Sequence, residues 1–167
     1  ATDQVTVTVV PDPEVSIVAS GDEVCEGGSV TLTATPSGGL DCEDVQWEFR
    51  AGTSGSFTAL STTGNSLNTD PNLAPGTYQY RARLNCSGTD CNNDVSNTVT
   101  LTVFPDPEVS IIINDNVICL DETATLTATP SGGIDCQDVQ WEFRPGTSGS
   151  WTALATTGNT LGTDPAL

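Results

Sequence analysis

Residues 31–50, TLTATPSGGLDCEDVQWEFR, return at 125–144 as TLTATPSGGIDCQDVQWEFR, with two changes in twenty positions. Within the stretch the apolar residues alternate. Val30, Leu32 and Ala34 point one way while Thr31, Thr33 and Thr35 point the other. After the PSGG turn, Val45, Trp47 and Phe49 share a face opposite Gln46, Glu48 and Arg50. Alternation with period two, broken by Gly, Pro and Ser, is the signature of strands joined by turns. The chain is therefore read as all-β.

The repetition extends well beyond this stretch. Residues 11–17 (PDPEVSI) recur at 105–111, an offset of 105 − 11 = 94, which also carries Cys25 to Cys119, Cys42 to Cys136 and Trp47 to Trp141. About two-thirds of positions 11–73 match their partners, and 5–10 (VTVTVV) align with 99–104 (VTLTVF). A fixed period of this size marks a repeat array. The reading is the last strand of a preceding repeat at 1–10, a complete repeat at 11–104, and an incomplete one at 105–167. Alternation within 11–104 predicts seven strands, at 14–19, 29–35, 44–50, 56–60, 65–69, 77–84 and 95–104.

Composition excludes several kinds of chemistry. Twenty-two acidic residues face four basic ones, all arginine, for a net charge of −18. Such a surface repels phosphate backbones and anionic lipid, so nucleic acid is excluded as a partner. Histidine is absent, and with it the commonest general base and transition-metal ligand. With no lysine either, Schiff bases and isopeptide staples are impossible. No context raises the pKa of one carboxylate against another, and no enzyme is expected. No apolar run is long enough to cross a bilayer, so membrane insertion of this segment is not expected.

Seven short strands in 94 residues, with a tryptophan on the third, follow the immunoglobulin layout. Residues 75–80 (PGTYQY) resemble the tyrosine-corner motif of that superfamily. The resemblance implies tandem immunoglobulin-like antiparallel β-sandwiches with Tyr78 as the corner tyrosine and Trp47 and Trp141 as core tryptophans. It also puts Leu32 and Tyr80 where the central disulfide usually sits, so that bridge should be missing. VCEGGSVTLTATPSGG, PGTYQYRARLNCSGTDC and SNTVTLTV are similar to the tandem Ig-like and PKD-like repeats of large surface proteins in Bacteroidetes-type bacteria.

In a sandwich of this kind Cys42, Cys86 and Cys91 share the pole where the chain comes in, and Cys25 lies at the far pole. The separation is about 25 Å on strand-length grounds, too far for a bridge. One bridge from Cys42 to Cys86 or Cys91 is expected within the repeat, the leftover cysteine facing Cys25 of the preceding repeat across the junction. A local Cys86–Cys91 clip is the alternative. Cys119 and Cys136 take the same places in the next repeat. No CxxC spacing suggests zinc, and disulfides point to an oxidising, extracellular or cell-surface setting.

The junction 104–108 (FPDPE) is short and stiffened by two prolines. Asp22, Glu23 and Glu26 from the exit pole, Asp106 and Glu108 of the joint, and Asp135 and Asp138 from the next entry pole are expected to converge there and are weak candidates for calcium; no other cofactor is expected. The resemblance implies a stiff stalk, adhesin shaft or extracellular filament, with neighbouring repeats as partners and lateral or head-to-tail self-association into fibres. The alternative is a set of carbohydrate- or protein-binding modules on a flexible tether, with Phe57 and Trp151 as stacking platforms.

Overall fold

Antiparallel pairing of alternating strands builds two sheets from residues 14–104. β1 (Glu14–Ala19), β3 (Thr31–Ser37) and β6 (Ser66–Asn68) form one, in the order β1-β3-β6. The other runs β2-β9-β7-β4-β5, from β2 (Glu23–Cys25), β4 (Gln46–Ala51), β5 (Thr58–Thr63), β7 (Gly76–Leu84) and β9 (Val99–Phe104), with β8 (Asp94–Val95) pairing β7. The computed structural model describes residues 3–86 and 94–163, in two compact units, Ala1–Phe104 and Pro105–Leu167.

The inward residues of the alternation make the core: Val15 and Ile17 of β1, Leu32 and Ala34 of β3, Trp47 of β4, Tyr80, Ala82 and Leu84 of β7, and Leu101 and Val103 of β9. Trp47, Tyr80, Leu32, Leu101 and Val45 are the largest fully buried side chains. The Trp47 indole N–H donates to the Gly64 carbonyl at 2.8 Å, so its one polar atom is satisfied. Leu32 and Tyr80 occupy the sandwich centre without a disulfide between them. Tyr78, expected at the corner and as part of the core, is half-buried and packs against the core, and Tyr80 is the fully buried tyrosine.

Three features depart from the sequence reading. A short strand, β2, lies unpredicted between the first two and runs parallel to β9, with Cys25 opposite Phe104. The long strand read at 95–104 is split into β8 and β9. Its interruption has a cause: Ser96 Oγ accepts from the Ala82 N–H at 2.8 Å, replacing a ladder partner with a side chain. Residues 3–10, which read as a strand, form none, and Val5, Val7 and Val9 stay exposed. Alternation alone cannot make a strand without a neighbour to accept its backbone hydrogen bonds.

The second unit repeats the first strand for strand over part of its plan. β10 (Glu108–Ile113), β11 (Thr125–Ser131) and β14 (Thr160–Gly162) pair as β1, β3 and β6 do, and β12 (Gln140–Phe143) pairs with β13 (Thr152–Thr157) as β4 does with β5. Ile111 stands opposite Ala128 just as Ile17 stands opposite Ala34. Among the described residues nothing stands in the places of β7, β8 and β9. Residues 117–119, the counterpart of β2, form no strand.

Candidate functional site

The richest local construction in the first unit is the pole that holds Cys42. A disulfide joins Cys42 to Cys86 across 44 residues of sequence, and the Glu43 N–H donates to Asn85 O at 2.7 Å beside it. The PSGG turn closes over this bridge. Gly39 donates to Pro11 O at 2.9 Å, and a Cβ there would run into the sulfurs of Cys42 and Cys86 and the ring of Pro13. Gly38, at φ +67°, abuts the Asp12 carbonyl, where a Cβ would collide with backbone. Two glycines are thus required by close approach as well as by φ. The incoming segment 11–13 is part of the sandwich rather than a loose tether.

At the opposite pole β9 ends on Phe104, whose carbonyl accepts from the Glu26 N–H at 3.0 Å, with Cys25 alongside. The second unit rebuilds the Gly-Gly arrangement: Gly133 donates to Pro105 O at 2.8 Å, and Gly132 abuts the Asp106 carbonyl. Phe104 is therefore held in the first unit and Pro105 in the second.

The outward face of β4 and β7 carries all the arginines of the first unit. Arg81 and Arg83 both donate to the Glu48 carboxylate, at 2.5 and 3.2 Å. Burial alone would push the Glu48 carboxyl up, but the hydrogen bonds and charges of the two arginines outweigh it and hold it below the usual carboxylate range. Arg50 donates to Gln79, Gly55 O and Thr53 O. Arg50 and Arg81 lie over the Phe57 ring at 4.4 and 4.1 Å, so the aromatic read as a sugar platform already carries two guanidinium groups. Its counterpart Trp151 carries Arg144 at 4.5 Å.

Both tyrosines of the first unit lie on β7. Tyr78 donates to Ala74 O at 2.7 Å, closing a corner below β7. Tyr80, deep in the core, has its phenol pushed up to about 12 by burial, with lesser contributions from Asp70 and Tyr78.

Among the described residues Cys25, Cys119 and Cys136 have no disulfide partner, and Cys91 lies outside the described residues. Asp22, Glu23 and Glu26 belong to the first unit, and Asp106, Glu108, Asp135 and Asp138 to the second. No three acidic or cysteine side chains among the described residues come close enough to hold a metal ion. A shallow cleft of about 260 Å³ between β5, β6 and the 69–73 turn is lined mainly by Phe49, Leu60, Leu67, Leu73 and Tyr80 and brings no set of catalytic groups together. Sequence reasoning missed Gly38 and Gly39 as contact glycines and the Glu48 pairing. Only the latter had a visible signal, in Arg81 and Arg83 alternating on one face.

This strand order, with a short parallel strand on the last one, a closed tyrosine corner and a buried tryptophan, defines an immunoglobulin-like β-sandwich. Residues 15–105, more than half the chain, match the family described as a domain of unknown function (DUF8696), and the chain belongs to that family. No curated protein matches it. Among solved structures, the ectodomain (Ig1–Ig3) of mouse nectin-like molecule 4 is similar at 19% identity and a TM-score of 0.42, covering 97% of this chain and 58% of its own. Murine CEACAM1b is similar at 17% identity and a TM-score of 0.39, covering 92% and 85%. The fibronectin(III)-like modules of Clostridium thermocellum CbhA follow at 17% and 0.38, covering 87% and 77%. The chain thus spans under two-thirds of the nectin-like ectodomain.

Proposed function

We propose that the chain is a structural, non-catalytic repeat segment of an extracellular or cell-surface protein, acting as a stiff shaft in a stalk, adhesin or filament. The observation that carries this reading is the anchoring of the joint. Phe104 ends a ladder in the first unit, and Pro105 accepts a backbone hydrogen bond from Gly133 in the second. One peptide bond, leading into a proline of fixed φ, is all that lies between two anchored residues. A Gly/Ser-rich linker would instead behave as a flexible coil.

The load path supports the same reading. Pro11–Pro13 is held at the disulfide pole and Phe104 at the opposite one, so tension along the chain pulls β2 and β9 past each other. Parallel neighbours loaded this way share the force among several hydrogen bonds at once instead of opening one at a time. Neighbouring repeats are the partners this arrangement calls for, end to end and, in fibres, side by side. The acidic surface keeps such rods hydrated and dispersed until they pair.

The test is small-angle scattering on a chain of three repeats, compared with a variant carrying Gly-Ser-Gly-Ser between Phe104 and Pro105 and its equivalents. A shaft gives a long maximum dimension that shortens and broadens on insertion. Identical profiles for both would leave modules on a tether as the better account.

A further inference from the structure

Tyr80 is 2% exposed, yet its hydroxyl donates to no other described residue. Every fully buried side-chain polar atom among the described residues has a partner, so this hydroxyl is not sealed in. It opens into the cleft of about 260 Å³ between β5, β6 and the 69–73 turn, which Tyr80 lines. The walls are apolar, from Phe49, Leu60, Leu67 and Leu73, and Asp70 stands at the rim. A phenol placed at the back of an apolar slot is costly unless water or a ligand reaches it.

Asp70 supplies a charge to the same cleft. Its Oδ1 accepts from the backbone and side-chain N–H groups of Asn72, both at 2.9 Å. These bonds hold the carboxyl below the usual carboxylate range, so it is ionised at neutral pH. Oδ2 is left open. Burial, and after it the Asp70 charge, raise the Tyr80 phenol, so the two groups act on one another across the cleft.

We propose that this cleft binds the side chain of a lysine from a partner protein. The four-carbon stem lies along the leucines and Phe49, and the ammonium donates to Asp70 Oδ2 and Tyr80 Oη. Arginine fits less well, since a guanidinium binds a carboxylate through both oxygens and Asn72 already holds one of them. None of the 167 residues is lysine, so one repeat cannot fill the cleft of the next. A chain with a net charge of −18 draws a cationic partner towards it. The entrance also suits a side chain still attached to its backbone. β5 and β6 each end their sheet, so among the described residues the cleft lies between two edge strands, and an extended partner segment can add to such an edge.

The cleft lies wholly within the first unit, so its occupancy is independent of the stiffness of the joint. The test titrates the isotope-labelled 167-residue chain with Nα-acetyl-lysine amide and follows backbone amide shifts by NMR. Saturable shifts at Leu60, Leu67, Leu73 and Tyr80 are expected. Nα-acetyl-norleucine amide, which keeps the carbon stem and lacks the ammonium, should bind about tenfold more weakly. Asp70→Asn keeps the acceptor for Asn72 and removes the charge, and Tyr80→Phe keeps the ring and removes the hydroxyl. Each variant should keep the circular dichroism of the parent and bind the lysine amide about fivefold more weakly. Equal binding of the lysine and norleucine compounds overturns the proposal, as does either variant binding as tightly as the parent. Shifts spread without saturation over the other carboxylates, which report counter-ions alone, also overturn it. Saturable binding of pentylamine with none of the lysine amide overturns the partner-protein source and puts a free amine in its place.

Discussion

The side-chain amide of Asn97 grips the backbone of Ile17 at both ends: its Oδ1 accepts from the Ile17 N–H at 2.9 Å, and its Nδ2 donates to the Ile17 carbonyl at 3.0 Å. The two residues lie eighty positions apart, one beyond β8 and the other in the middle of β1. A single asparagine thus stands in for a strand and ties the edge of one sheet to the other. Asn97→Ala leaves both backbone groups unpaired in a half-buried setting, and a loss of about 1–3 kcal/mol is expected. Urea unfolding followed by near-ultraviolet circular dichroism of tyrosine isolates the first unit, since Tyr78 and Tyr80 are the chain's two tyrosines. A midpoint unchanged from the parent would mean that water replaces the amide at no cost.

Reduction of Cys42–Cys86 should destabilise the first unit strongly. Closing a loop of 44 residues removes chain entropy worth ~4 kcal/mol from the unfolded state, which corresponds to a fall in Tm of about 15 °C or more for a domain of this size. Calorimetry with and without reductant checks this. The paired Cys42→Ala and Cys86→Ala variant should match the reduced protein and be insensitive to reductant.

Alkali should unfold the first unit earlier than its other groups require. The Tyr80 phenol is raised to about 12 in the fold against an ordinary value near 10. The neutral form is thus the one the core favours. That stabilisation, about 2–3 kcal/mol for such a shift, is complete below pH 10 and is lost as pH rises from 10 to 12. Tyr80→Phe, which keeps the ring, should flatten the stability profile in that window. A wild-type profile already flat there would contradict the burial argument.

Acid acts through the opposite sign at Glu48. Its folded pKa is depressed, so its contribution is present above the ordinary carboxylate value and fades as pH falls through the depressed one. Glu48→Gln should be less stable at neutral pH and lose less on acidification, which pH-dependent urea midpoints measure directly.

Gly38→Ala meets both a left-handed φ and the Asp12 carbonyl, and it should cost more than the ~1 kcal/mol of an ordinary glycine-to-alanine strain. Gly132→Ala should do the same to the second unit, where tryptophan emission reports it. Equal stability of either variant would show that the incoming segment is not bound to the turn.

Much of the sandwich is legible in local pattern. Alternation in 31–50 and its return 94 residues later mark the strands and the repeat, because sheet pleat has period two and a repeated sequence repeats its local preferences. PGTYQY marks the corner, since the turn and the tyrosine lie within one short segment. Residues 1–10, read as the last strand of a preceding repeat, show the same limit: alternation expresses a capacity to pair and does not supply a partner.

What the tertiary structure alone decided was which distant groups meet. Asn97 found Ile17 and β2 lay parallel on β9, and of the two partners the sequence offered Cys42 the fold joined Cys86. The first two pairings leave no trace in neighbouring residues, because each depends on how distant strands are brought together rather than on the preference of either segment. The same physics governs Ile17 and Ile111. Both sit in the same heptapeptide PDPEVSI and pair with an alanine at the same register, and the burial of Ile17 is decided by β7 and β9 packing across it, which the heptapeptide does not encode.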